Sequence, residues 1–202
     1  MTGMILGIVA AGLYIIKRWD DALPLKRSMY LVIAAAAFGK ACLIRRLAAE
    51  DPPGSWFLLC VAGGCLLFAS VTDHVICQVY QFTWWPLIAA VLPGVWNMRR
   101  DESALLFLFF LLQFIVFGRM YGRADCYGFC ACAAVEAVRG EGFLYFCTHM
   151  LCAWLLLVFV QLLRGNVGRG GRLKKPVPFL PYISASFWLI MAYNEKYKFF
   201  GG

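Results

Sequence analysis

Long runs without a charged residue dominate this 202-residue chain and limit what it can fold into. Twenty-one uncharged residues precede Asp73, and a further twenty-four begin at Val75. A helix needs about 17–25 apolar residues to cross the core of a bilayer, so runs of this length predict transmembrane helices. Hydrophobic residues make up 62% of the chain and charged residues 15%, against about 45–50% and about 25% in soluble domains. The sequence therefore predicts a multispan membrane protein.

The gaps between charged residues predict an all-α transmembrane helix bundle of about eight spans, with six to eight as the expected range. The first and sixth spans are short for a full crossing, and the second carries Lys40 in its interior. We expect residues 1–202 to form a single integral-membrane domain, because the longest polar stretch, 164–175, has only twelve residues. The predicted spans are 3–16, 28–44, 55–72, 78–97, 103–118, 125–138, 142–163 and 177–194.

Basic residues in the loops predict the orientation, because lysine and arginine accumulate in short cytoplasmic loops. The loops after spans one, three, five and seven hold eleven lysines and arginines, and the opposite side holds seven. We therefore expect the first set of loops in the cytoplasm and both termini outside. The net charge of +8 fits this topology and an attraction to anionic lipid headgroups. Nucleic acid is not an expected partner, since the basic residues are scattered among several loops.

Nine cysteines raise the question of a metal site or a disulfide framework. Most of them lie inside apolar spans, no two form a C-x-x-C pair, and Cys126, Cys130 and Cys132 share one predicted helix. Cysteine in this setting behaves as a small hydrophobic residue, so we expect no metal site. His149 lies in the middle of a span and is interpreted as a hydrogen-bond donor between helices.

Three carboxylates stand apart from the other eight, which lie in polar loops or in the tail. Asp73 lies between two long uncharged runs, Asp125 begins span six, and Glu136 follows Asp125 by eleven residues on the same helix face. An ionisable side chain at the centre of a span costs about 2.5–3.5 kcal/mol even on lenient insertion scales. Each of the three is therefore a candidate functional residue.

Asp73 ends a predicted span and Asp125 begins another, and the loop count puts both at the cytoplasmic face. Two carboxyl groups a few ångströms apart hold one shared proton, so that the charged member activates a water and the protonated member donates to a scissile carbonyl. Such a pair hydrolyses peptide bonds without a metal or cofactor. Gly122 and Ala124, small residues beside Asp125, would let a substrate backbone approach closely.

The stretch GRAD, residues 122–125, resembles the G-x-G-D motif of the type IV prepilin peptidases, which are membrane-embedded aspartic proteases. VTDHVICQVYQ, which begins at Val71, resembles the first aspartate motif of that family. KKPVPFLPYISASFW, which begins at Lys174, resembles the basic, proline-bounded approach to the family's last helix. The resemblance covers about residues 57–188. It implies that Asp73 and Asp125 are catalytic and that the chain cuts the leader from prepilin or pseudopilin-like single-pass proteins at the cytoplasmic face of the cell membrane.

The sequence departs from the family pattern at several positions. Ala124 replaces the second glycine of the motif, and Val79, Tyr80 and Gln81 stand where the family has isoleucine, proline and asparagine. The tetracysteine zinc module of the larger members is missing as well. We therefore expect no cofactor, and S-adenosylmethionine, which some members use to methylate the new amino terminus, is not an expected ligand.

Two alternatives remain open from the sequence. In the first, the chain is a small multispan transporter, and Lys40, Asp73, Asp125 and Glu136 form a polar track for protons or ions. In the second, it is a catalytically inactive member of the family that serves as a pilus or secretion assembly subunit.

Overall fold

The computed structural model describes residues 1–19, 25–47, 55–166 and 177–200. Over these ranges the regular structure consists of α-helices and two short 3-10 turns, without a strand, so the predicted all-α fold is confirmed. The described residues do not include Asp20 and Asp21. They also do not include four of the basic residues counted for the predicted orientation, namely Arg169, Arg172, Lys174 and Lys175. The helices are α1 (Thr2–Trp19), α2 (Arg27–Leu47), α3 (Ser55–Ile76), α4 (Trp85–Trp96), α5 (Arg100–Ile115), α6 (Arg123–Val138), α7 (Phe143–Leu163) and α8 (Leu180–Phe200).

Helix α3 is the centre of the bundle. It contacts α1, α2, α4, α6 and α8. All residues from 58 to 69 are buried, so the helix is covered on every side. Its sequence over this stretch is apolar all round, as expected for a helix with no face toward water. The other helices are therefore arranged around α3.

The outer helices present apolar surface to the outside. On α2, α5 and α7 only about a fifth of the most apolar stretch is buried. Leu31 is 75% exposed and Leu144 is 82% exposed. Large contiguous apolar surface of this kind is unusual on a soluble protein and suits contact with lipid. Within the described ranges, four helical segments are long and apolar enough to cross a bilayer, namely 27–47, 55–76, 100–119 and 143–163.

The predicted fourth span, 78–97, is too long. Tyr80 is extended, a 3-10 turn covers Gln81–Trp84, and α4 begins only at Trp85. Its twelve residues give a helix of about 18 Å, shorter than the hydrocarbon core of about 30 Å. Pro86 in the first turn favours this start, because proline fits the first positions of a helix. The prediction placed the start of the span by the absence of charged residues, and an uncharged turn before a helix shows the same absence.

Helices α6 and α8 pack closely at Gly128. A Cβ atom built on this glycine would lie 2.5 Å from Cδ2 of Leu180, which is fully buried. Small residues allow helix backbones to approach in this way. The contact brings the first turns of α6 and α8 together.

Replacement of Gly128 by valine should separate α6 from α8. Overpacking of a filled core costs about 1–3 kcal/mol, so we expect Gly128→Val to lower the unfolding temperature measured by intrinsic fluorescence in detergent. Gly39→Val is the matched control, because a Cβ at that helical glycine meets nothing within 4 Å. Equal unfolding temperatures for the two variants would show that the packing at Gly128 is not close.

Candidate active site

Asp73 lies in the last turn of α3 and is held by the start of α8. The amide of Leu180 donates to Asp73 Oδ2 at 3.0 Å, and the amide of Phe179 also donates to this carboxylate. The first amides of a helix have no acceptor within their own helix, and the positive end of the helix dipole favours an anion there. The side chain of Asp73 is only 8% exposed. The contact therefore satisfies a buried carboxylate and a helix terminus together.

Asp125 lies in the first turn of α6, which begins two residues earlier than the predicted span. The amide of Gly122, the residue that caps the helix, donates to Asp125 Oδ2 at 3.2 Å. A carboxylate at this third helical position commonly satisfies the amide of the capping residue. The contact with the capping residue thus fixes the direction in which the Asp125 side chain points from the helix.

The two aspartates come together at one end of the bundle. Helices α3 and α6 are in contact, and the carboxylate of Asp73 is close enough to act electrostatically on that of Asp125. Asp125 is half-buried and Gly122 is exposed, so the pair is reached from the surface. The two carboxylates thus lie within electrostatic range of each other, where α3 ends and α6 begins.

Tyr121 and Gln113 belong to the same region, although the sequence analysis did not select them. The Tyr121 hydroxyl donates to Gln113 Oε1, and Gln113 is fully buried. Burial is the main reason why the pKa of the Tyr121 phenol is raised above its ordinary value, and Cys126 and Asp125 add to the effect. The phenol therefore stays protonated and remains a hydrogen-bond donor beside Asp125.

The ring of Tyr121 connects the two halves of the site. Its centroid lies 5.7 Å from that of Phe129 on α6, 5.6 Å from that of Trp154 on α7 and 5.8 Å from that of Phe179. Phe179 is the residue whose amide holds Asp73. An aromatic cluster thus packs the segment before α6 against the segment before α8.

Gly122 and Ala124 precede Asp125 in the chain, by three residues and by one residue. Gly122 is exposed, and a Cβ on it would meet only Asp125 Oδ2, at 3.6 Å. That separation is an ordinary van der Waals contact, so packing within the protein does not demand a glycine here. The glycine leaves one side of the Asp125 carboxylate open to approach.

Two other predicted candidates, Glu136 and Lys40, lie away from the aspartates. Glu136 lies eleven residues beyond Asp125, about 16 Å along α6, and contacts His149 instead. Lys40 donates to Ser184 Oγ at 2.9 Å. The predicted polar track therefore divides into two groups, the aspartates at the end of the bundle and these residues deeper inside.

The sequence contains a signal for a helix start near Phe179 and Leu180, where the amide that holds Asp73 lies. Pro178 and Pro181 bracket Phe179 and Leu180, and proline marks the first turn of a helix. Free amide donors are expected at such a start. The distant carboxylate that accepts from them leaves no local mark in the sequence. Tyr121, an uncharged residue in a short turn, carried no signal of its own.

The cysteines pack as single residues. All nine are unpaired, and Cys60, Cys65, Cys126, Cys130 and Cys132 are buried in α3 and α6. Among the residues with described coordinates, no three histidine, cysteine, aspartate or glutamate side chains are grouped so that they would hold a metal ion.

The chain matches no protein-family model, no curated protein and no solved structure. The assignment of a function therefore rests on the geometry of the site and on the motifs around its two aspartates.

Replacement of Tyr121 by phenylalanine should leave the buried Gln113 carbonyl without its donor. An unsatisfied buried acceptor costs about 1–3 kcal/mol, so Tyr121→Phe should lower the unfolding temperature in detergent. Tyr127→Phe is the control, because Tyr127 is 39% exposed and its substitution strands no buried partner. A Tyr121 variant as stable as the Tyr127 variant would show that the bond to Gln113 contributes no stability.

Proposed function

We propose that the chain is a membrane-embedded aspartic endopeptidase that removes the leader peptide from type IV prepilin or pseudopilin-like substrates. The observation that carries this proposal is that Asp73, in the last turn of α3, lies within electrostatic range of Asp125, in the first turn of α6. Metal-free peptide hydrolysis requires two carboxyl groups in one site. The short motifs around both residues, which resemble those of the prepilin peptidases, support the same reaction.

The reaction uses one water and one proton shared by the aspartates. The ionised carboxylate takes a proton from the water, whose oxygen attacks the scissile carbonyl carbon, and the protonated carboxyl donates to the carbonyl oxygen. Collapse of the tetrahedral intermediate breaks the C–N bond. The departing amine takes a proton from the pair, and a hydroxyl of the intermediate returns a proton to the pair as it becomes the carbonyl of the new carboxyl group. One aspartate is then ionised and the other protonated, as before the reaction, and no cofactor is consumed.

The surface of the bundle supports the proposed membrane placement. Four segments are long and apolar enough to span, and the outward faces of α2, α5 and α7 are apolar. In the proposed arrangement the remaining helices complete a bundle of six to eight spans in the cell membrane. The excess of basic residues in alternate loops puts the aspartate end at the cytoplasmic side.

The proposed substrate is a single-pass protein whose apolar helix begins just after the scissile bond. An apolar groove of about 810 Å³ runs beside the aspartate end of α3, with Phe68 and Tyr80 in its wall. These two residues lie five positions before and seven positions after Asp73. The apolar helix of the substrate would lie in this groove while its leader remains at the membrane surface.

The decisive experiment is co-expression with pilin-like proteins from the same source, with leader removal followed by gel shift. We expect Asp73→Asn and Asp125→Asn each to abolish cleavage while the proteins still insert into the membrane. Asp101→Asn is the matched control, because Asp101 is exposed and pairs only with Arg99 at 2.9 Å. Cleavage by both site variants would exclude the aspartate mechanism. Ion flux through reconstituted protein without cleavage would favour the transporter, and neither activity would favour the assembly subunit.

Substitution of Gly122 should impair cleavage and leave folding intact. A methyl group there would lie beside Asp125 Oδ2 and crowd the approaching substrate backbone. We expect Gly122→Ala to lower kcat/KM by about tenfold, which corresponds to about 1.4 kcal/mol of transition-state stabilisation. Gly142→Ala is the control, since Gly142 also precedes a helix and its Cβ would meet nothing within 4 Å. Equal kcat/KM for both variants would mean that the substrate does not pass over Gly122.

A further inference from the structure

Three helices meet at a buried polar contact below the aspartates, and we call its residues, Glu136, His149 and Ile183, the buried junction. His149 Nδ1 on α7 lies 3.0 Å from Glu136 Oε1 on α6. His149 Nε2 lies 3.1 Å from the Ile183 carbonyl on α8. The side chains of His149 and Glu136 are 1% and 0% exposed. One imidazole therefore links α6 to α8 through α7.

The hydrogen-bond roles in the junction follow from the acceptor on α8. A carbonyl oxygen only accepts, so Nε2 of His149 must carry a proton. A single further proton then lies between Nδ1 and Glu136 Oε1, on either atom. Both arrangements are neutral overall, which suits a pair without solvent contact. In either arrangement one proton bridges His149 Nδ1 and Glu136 Oε1 over 3.0 Å.

Lys40 does not belong to this pair. Its ammonium group donates to Ser184 Oγ at 2.9 Å and lies 5.2 Å from the centre of the Trp188 ring. Glu136 therefore contacts His149 and not Lys40.

The junction connects the two elements that hold the aspartates. Glu136 belongs to α6, whose first turn carries Asp125. Ile183 lies three residues, or one turn, after Leu180, whose amide holds Asp73. A change in the length of the contact would move α6 along α8, and with it the two carboxylates relative to each other.

We propose that Glu136 and His149 are positioning residues that set the separation of Asp73 and Asp125. The proposal depends on the protease function proposed above for its kinetic readout, and it concerns neither proton transfer nor substrate contact. A shift of about 1 Å in a catalytic group can cost about 10²-fold in rate, so the length of a single buried contact is enough to affect turnover.

Two variants of Glu136 distinguish a role in positioning the aspartates from a role in proton transfer. Glu136→Gln keeps the length of the side chain and can donate from its amide to Nδ1, but it has no ionisable proton. Glu136→Asp keeps the acid and shortens the side chain by one methylene. We expect Glu136→Gln to cleave within about twofold of wild type, and Glu136→Asp to lose about tenfold to 10²-fold in kcat with little change in KM. His149→Leu should behave like Glu136→Asp or worse.

A second readout does not depend on cleavage. Weakening of the contact should loosen the hydrogen bonds from α8 to Asp73, which hydrogen exchange detects in a peptide over residues 177–184. The amides of Phe179 and Leu180 should exchange faster in Glu136→Asp and His149→Leu, and at the wild-type rate in Glu136→Gln. Thr148→Val is the control, because this exposed neighbour of His149 bonds only to Leu144 in its own helix.

The outcomes separate the two proposals. If wild type cleaves no pilin-like protein, the protease function fails, and the exchange rates alone test the junction. Full activity in Glu136→Asp with loss in Glu136→Gln would overturn the positioning role in favour of proton transfer. The positioning role would also be overturned if Glu136→Asp and His149→Leu both kept the wild-type kcat and the wild-type rates of amide hydrogen exchange.

Discussion

The hydrogen bond from the Leu180 amide to Asp73 joins residues 107 positions apart, and the rest of the bundle is arranged around it. A carboxylate buried among apolar side chains is unstable unless donors surround it. The first amides of α8 need acceptors for the same reason. Each group meets the requirement of the other, so α8 must begin where the central helix α3 ends. This constraint determines where α6 and α7 can pack.

Asp125 satisfies the same requirement within its own helix, through the amide of Gly122. The starts of α6 and α8 consequently point toward the same end of the bundle, and Gly128 lets them approach closely. Helix starts favour negative charge, and here two of them converge near a pair of acids. The proposed hydrolysis needs one ionised carboxylate to take a proton from water, and the helix starts stabilise that ionised form. The two helix starts at this end of the bundle therefore contribute both to the stability of the fold and to the proposed chemistry.

Much of this architecture is predictable, because uncharged runs of spanning length produce helices with little dependence on their neighbours. The topology of loops then suggested that Asp73 and Asp125 meet. Interactions between distant segments were not predictable. The amide that holds Asp73 belongs to the last helix, and the partner of Glu136 is His149 on the neighbouring helix α7. The late start of α4 was missed because an uncharged turn and an uncharged helix have the same charge pattern.

The support of Asp73 by main-chain amides has an evolutionary consequence. Every residue except proline supplies such an amide, so the hydrogen bond to Asp73 does not itself depend on which side chain stands at position 180. Selection would act on the fold of the segment, for example through its flanking prolines, more than on the identity of the residues that touch the acid. Divergent chains could thus keep the hydrogen bond from the main chain to Asp73 while an alignment shows little identity among the residues that donate it.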